Sequence, residues 1–142
     1  MTLVLDASMV LSWHLKRQDP DEAALAQSAL REVASQGATV PGLCFSEVGN
    51  GLLVSERRRL TDADQVAAFQ MDLGQLKISL DSASPSATLS RVLSLARSWG
   101  LTAYDATYLE LVLRAGSPLA TFDRKLAEAT RRVGGRVFGD AS

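Results

Sequence analysis

Leu3-Val4-Leu5 is apolar at three successive positions and is closed at once by Asp6, after which Ala7-Ser8 lead into Met9, Val10, Leu11, Trp13 and Leu15 at helical spacing. A strand with no polar face has to be covered on both sides, which is the situation of a strand inside a parallel sheet flanked by helices. Asp6 then stands at the carboxyl end of that strand, where an Asp, or Ser8 behind it, can equally serve as the cap of the next helix. The alternation recurs along the chain. Pro20-Asp21-Glu22 opens a helix that Gly37 stops, Ala38-Thr39-Val40-Pro41 is a second brief strand, and Leu43 to Arg58 is a helix predicted to carry Phe45, Val48, Leu52 and Leu53 inward. Thr61-Asp62-Ala63-Asp64 starts a helix through Val66, Phe69 and Leu73, and Lys77-Ile78-Ser79-Leu80 reads as a third strand ended by Asp81.

From Ser84-Pro85-Ser86 a helix runs to Trp99-Gly100, and Thr102 then begins another, with an acid three residues later as in a capping box. Along that helix Asp105, Tyr108, Leu109 and Val112 fall at i, i+3, i+4 and i+7, so a carboxylate heads an apolar stripe. An acid in a first turn is favoured by the helix dipole, yet one facing a core needs a cation or hydrogen-bond donors. Pro118-Leu119-Ala120-Thr121 is a further strand with Phe122-Asp123 at its carboxyl end; a helix from Arg124 to Arg132 and a last strand at Arg136-Val137-Phe138 follow. Strands alternating with helices over 142 residues imply one α/β domain, 1–142, with a parallel sheet. In such sheets ligands bind beyond the carboxyl ends of the strands, the edge that Asp6 and Asp123 occupy.

The 15 Lys and Arg residues against 16 Asp and Glu give a net charge of −1, which by itself points to no partner. If four acids held a cation, the remainder would carry 15 − 12 = +3, a balance compatible with nucleic acid. The single Cys44 excludes an internal disulfide or a Cys-rich zinc module, and no apolar segment reaches a membrane-spanning length, so a cytoplasmic protein without a membrane partner is expected. His14 has no partner His or Cys and reads as a satisfied helix residue. Arg57-Arg58-Arg59 suits a helix end, and the cations Arg91, Arg97, Arg114, Arg124, Lys125, Arg131, Arg132 and Arg136 enrich the second half of the chain.

Glu47 sits beside the inward face of its helix with Asn50 three residues on. Were Asp6, Glu47, Asp105 and Asp123 to meet, two like charges about 4 Å apart would repel by about 4 kcal/mol at an effective dielectric near 20, and a cation would be needed. Oxygen donors without His or Cys select Mg²⁺ or Mn²⁺, and the fitting chemistry is phosphodiester hydrolysis. Ser8, Asn50 and Thr121 would orient the acids or contact phosphate.

Four stretches in order, Val4-Leu5-Asp6-Ala7-Ser8, Pro41 with Ser46-Glu47-Val48-Gly49-Asn50-Gly51-Leu52, Leu101-Thr102-Ala103-Tyr104-Asp105-Ala106, and Leu119-Ala120-Thr121-Phe122-Asp123-Arg124-Lys125-Leu126, make the chain resemble the PIN-domain family, specifically the VapC-type toxins of bacterial toxin–antitoxin pairs. The resemblance spans essentially the whole chain. It implies a PIN-like three-layer fold with a five-stranded parallel sheet in order 3-2-1-4-5, flanked by helices. Asp6, Glu47, Asp105 and Asp123 match the family's catalytic and metal-binding acids, and Ser8, Asn50 and Thr121 match polar positions that line its site. The activity implied is that of a Mg²⁺- or Mn²⁺-dependent endoribonuclease, homodimeric and inhibited by a cognate VapB-type antitoxin. A PIN fold kept as an RNA- or protein-binding module without cleavage is the main alternative. A receiver-like signalling domain is a weaker one, because Val40-Pro41 supplies no phosphoacceptor Asp.

Overall fold

The structure is a computed structural model describing residues 1–141. The chain runs β1 (Leu3–Leu5), α1 (Ala7–Ser12), α2 (Pro20–Gln36), β2 (Ala38–Val40), α3 (Leu43–Arg57), α4 (Ala63–Gly74), β3 (Ile78–Leu80), α5 (Pro85–Trp99), α6 (Ala103–Ala115), β4 (Leu119–Ala120) and α7 (Arg124–Arg132). All pairings are parallel, in the order β3-β2-β1-β4. β1 is central and its three side chains are wholly buried, as its unbroken apolar run requires. The chain builds outward through β2 and β3, then crosses back to place β4 on the other side of β1. This makes the gap beyond Leu5 and Ala120 the switch point of the sheet.

The expected fifth strand is reduced to a single parallel bridge between Leu119 and Val137, held by Leu119 N–H to the Arg136 carbonyl (2.9 Å) and Phe138 N–H to the Leu119 carbonyl (2.8 Å). Gly134 and Gly139, both at positive φ, turn the backbone on either side and leave no length for a ladder. The position in the order is therefore kept, but the strand is not.

Local signals set the helix ends. Asp19, Asp62 and Thr102 accept N–H bonds at the starts of α2, α4 and α6, and Gly100 and Gly116 close α5 and α6 in the left-handed conformation. Gly37, at φ 80°, ends α2 where a Cβ would lie 3.0 Å from the Lys77 carbonyl oxygen, so β2 enters directly beside β3. On α3, Val48 and Leu52 are buried as expected, but Phe45 and Leu53 are exposed. With Val48 and Leu52 turned toward the sheet, Phe45 and Leu53 point into a cleft of about 660 Å³ between α3 and α4, lined also by Val66 and Leu73. Gly51 allows the close approach of α3 to α1: a Cβ there would lie 2.5 Å from Leu11 Cδ1.

Candidate metal centre at the sheet edge

β1 delivers Asp6 to the switch point, where it is 6% exposed. Thr121, just past β4, donates its hydroxyl to Asp6 Oδ2 at 2.5 Å, while the Ser8 hydroxyl donates to Oδ1 at 2.7 Å. The Met9 N–H also reaches Oδ1 at 3.1 Å, so Asp6 caps α1 while facing the site. The two hydroxyls accept in turn: Phe122 N–H donates to Ser8 Oγ (2.8 Å) and Asp123 N–H to Thr121 Oγ1 (2.9 Å). Ser8 and Thr121 thus lash the β1 and β4 ends together, and Asp123 begins α7 by accepting the Leu126 N–H at 3.1 Å. Burial pushes the Asp6 carboxyl up to about 6 in spite of these bonds, with the Asp123 charge adding to the effect.

The start of α6 brings in Asp105, whose N–H is capped by Thr102 Oγ1 at 3.1 Å. The stripe below it is as the spacing predicts, with Tyr108, Leu109 and Val112 buried. Burial raises the Asp105 carboxyl, and so do the charges of Asp123 and Glu47; Lys125 opposes them. Glu47, half-buried on α3, accepts the Tyr108 hydroxyl at 2.5 Å. Each of the four acids is therefore within electrostatic reach of at least one other.

None of the four forms an ion pair with a lysine or arginine among the described residues. Nor, among those residues, are three His, Cys, Asp or Glu side chains drawn close enough to form a ready metal cage. The edge is thus a collection of oxygen donors in mutual repulsion, braced by neutral hydroxyls and N–H groups. Cys44, buried and with its thiol pushed up to about 12 by desolvation, adds no soft ligand. Such a donor set suits a hard divalent cation, which would supply the missing counter-charge and take the lone pairs that the hydrogen bonds leave free. Asn50 lies on the same helix as Glu47 but is exposed and makes no hydrogen bond to the acids.

The cationic second half is partly committed elsewhere. Glu110, only 4% exposed on α6, binds Arg91 of α5 (3.3 Å) and Arg114 (2.9 Å), and Arg114 also holds Asp81 at the end of β3 (2.6 Å). Arg131 pairs with Asp140, Arg132 with Glu128, and Arg136 donates to the Gly116 carbonyl. Next to the acids, Arg17 lies over the Phe122 ring, 4.4 Å from its centre. His14, as expected, is satisfied, bonded to the Thr61 hydroxyl at 2.7 Å and stacked on Phe69.

Sequence reasoning missed two polar roles. Tyr108 counts as apolar in the stripe, and its hydroxyl partner lies 61 residues away on α3. Glu110 was not singled out, although Arg114 at i+4 was a visible cue to its pairing.

The family model described as PIN domain matches residues 3–132. Ribonuclease VapC3 of Pyrobaculum aerophilum is 31% identical over 128 residues, covering 90% of this chain and 94% of the relative. Three solved structures share the fold. A protein from Pyrobaculum aerophilum aligns with a TM-score of 0.65 at 23% identity, covering 96% of this chain and 88% of its own. A toxin–antitoxin complex from Klebsiella pneumoniae aligns with a TM-score of 0.66 at 16% identity, covering 96% of both chains. FitAcB from Neisseria gonorrhoeae aligns with a TM-score of 0.62 at 18% identity, covering 97% of both.

Proposed function

The chain belongs to the PIN-domain family, and from that premise we propose that it is a divalent-metal-dependent endoribonuclease acting as the toxin of a VapBC-type pair. The observation that carries the reading is that Asp6, Glu47, Asp105 and Asp123 each lie within electrostatic reach of another of the four, and none is ion-paired to a lysine or arginine among the described residues. These residues would hold Mg²⁺ or Mn²⁺, which when bound offsets phosphate charge and makes water a better nucleophile.

The chain's own groups have distinct tasks in this reading. Ser8 and Thr121 fix both oxygens of Asp6, so its remaining lone pairs point one way. The Leu126 N–H holds Oδ1 of Asp123 and leaves Oδ2 uncommitted. Lys125, whose charge acts on Asp105, would meet a phosphate of the RNA backbone, and Asn50 offers an exposed amide on the same helix as Glu47. Exposed Leu80, Leu89 and Tyr104 border an apolar cleft of about 460 Å³, which supports association as a homodimer. No helix is long and apolar enough to cross a membrane, and a cytoplasmic site of action, shared with RNA and a VapB-type antitoxin, belongs to the same reading.

The decisive experiment is incubation of the purified protein with RNA in Mn²⁺ or Mg²⁺. Cleavage that stops in chelator is expected, together with growth arrest on induction that a co-expressed antitoxin relieves. RNA binding without metal-dependent cleavage would instead favour a non-catalytic module.

A further inference from the structure

Glu47 differs from the other acids in how it is held. Asp6 and Asp123 sit at strand ends, and Asp105 is fixed by a cap, all with short side chains. Glu47 projects from the second turn of α3 on a longer side chain, and no backbone N–H reaches its carboxylate among the described residues. A free glutamate loses on the order of 1–2 kcal/mol of rotamer entropy when fixed. What fixes it here is one phenol. Tyr108 is 1% exposed and heads the largest fully buried side chains; its ring is clamped in the core and only its hydroxyl emerges toward Glu47.

The link also crosses elements. Tyr108 stands three residues after Asp105 on α6, so a single helical turn presents one acid directly and grips a second from α3. The phenol takes up Glu47 Oε1 and leaves Oε2 free. We infer that Tyr108 is the positioning residue of this site, a buried hydroxyl that sets Glu47 in register with Asp105 for a divalent cation. The inference rests on the nuclease reading above, because it assigns Tyr108 a role toward the cation proposed there.

The test is a calorimetric titration with Mn²⁺ alone, with RNA cleavage measured in parallel, on the parent protein, Tyr108→Phe, Glu47→Gln and the double variant. Phenylalanine keeps the buried ring and removes only the donor. We expect Tyr108→Phe to retain its circular dichroism spectrum and to bind Mn²⁺ about 10- to 100-fold more weakly, the usual cost of losing a ligand's outer partner. In the Glu47→Gln background the same substitution should cause no further loss, since its effect passes through that carboxylate. Affinity equal to the parent's, or an undiminished further loss on top of Glu47→Gln, would overturn the assignment. Should Tyr108→Phe not fold, Glu47→Asp carries the test: it keeps the charge but draws the carboxylate away from an unaltered Tyr108, and parent-like Mn²⁺ affinity in it would overturn the assignment equally. A parent protein that neither binds Mn²⁺ nor cuts RNA would instead bring down the nuclease reading, and this inference with it.

Discussion

Thr121 and Asp6 are 115 residues apart in sequence, yet the Thr121 hydroxyl donates to Asp6 Oδ2 at 2.5 Å while accepting the Asp123 N–H at 2.9 Å. One side chain therefore orients one acid and braces the backbone of another. Replacing it by valine keeps the volume and removes both bonds within a buried setting. We expect Thr121→Val to lower the unfolding free energy by about 1–3 kcal/mol. Urea unfolding followed by circular dichroism measures this, and an unchanged midpoint would show that the bond contributes nothing.

Asp105 is raised by burial and by the charges of Asp123 and Glu47. Its ionised form is therefore held against resistance, and Asp105→Asn should relieve that resistance while removing one of the proposed metal ligands. The expected outcome is loss of metal-dependent RNA cleavage to background, with a melting temperature in chelator no lower than the parent's. Undiminished cleavage would remove Asp105 from the chemistry.

The Arg114 cluster sets an acid limit on stability. Hydrogen bonds from Arg114 hold Asp81 below the ordinary carboxylate value of 3.8, with the Ala83 N–H assisting. Because the folded-state value lies below the unfolded one, this contribution is complete above about pH 4 and is lost as pH falls through the folded value. Arg114→Leu should abolish that acid-side loss and, by leaving buried Glu110 with Arg91 alone, destabilise the fold by up to about 3 kcal/mol at neutral pH. Thermal melts of both proteins between pH 2.5 and 7 test the pair; identical pH profiles would refute it.

The glycines of α3 separate two effects. A Cβ on Gly49 meets nothing within 4 Å, so Gly49→Ala should stabilise by about 0.5–1 kcal/mol through helix propensity alone. At Gly51 the same change forces Leu11 to move and should forfeit that gain. Equal stabilisation of the two variants in chemical unfolding would contradict the close α1–α3 packing.

Much of this arrangement is legible in the chain because it is local. The unbroken Leu3-Val4-Leu5 run marks a strand covered on both faces, and the interval from Asp105 to Tyr108, Leu109 and Val112 marks a buried helical stripe. What escaped depends on contacts made at a distance. Phe45 and Leu53 satisfy the helical period but lie on the side of α3 that α4 leaves open, and the terminal Val137 shows its strand-like composition without the length to pair. Tyr108 and Glu110 are polar partners whose complements come wholly or partly from other elements. Asp6, Asp105 and Asp123 were readable as acids at strand ends and helix starts, and Ser8 and Thr121 as hydroxyls beside them; the Tyr108 hydroxyl on Glu47 was not.

β4 lies beside β1 in the sheet but enters the chain only at Leu119. A ribosome making this polypeptide must therefore release nearly all of it before Thr121 and Asp123 exist to meet Asp6. Products that stop before Leu119 lack Asp123 and the Thr121 hydroxyl, and with them the clasp that closes the edge around Asp6. The order of synthesis makes this edge one of the last parts of the fold to be completed.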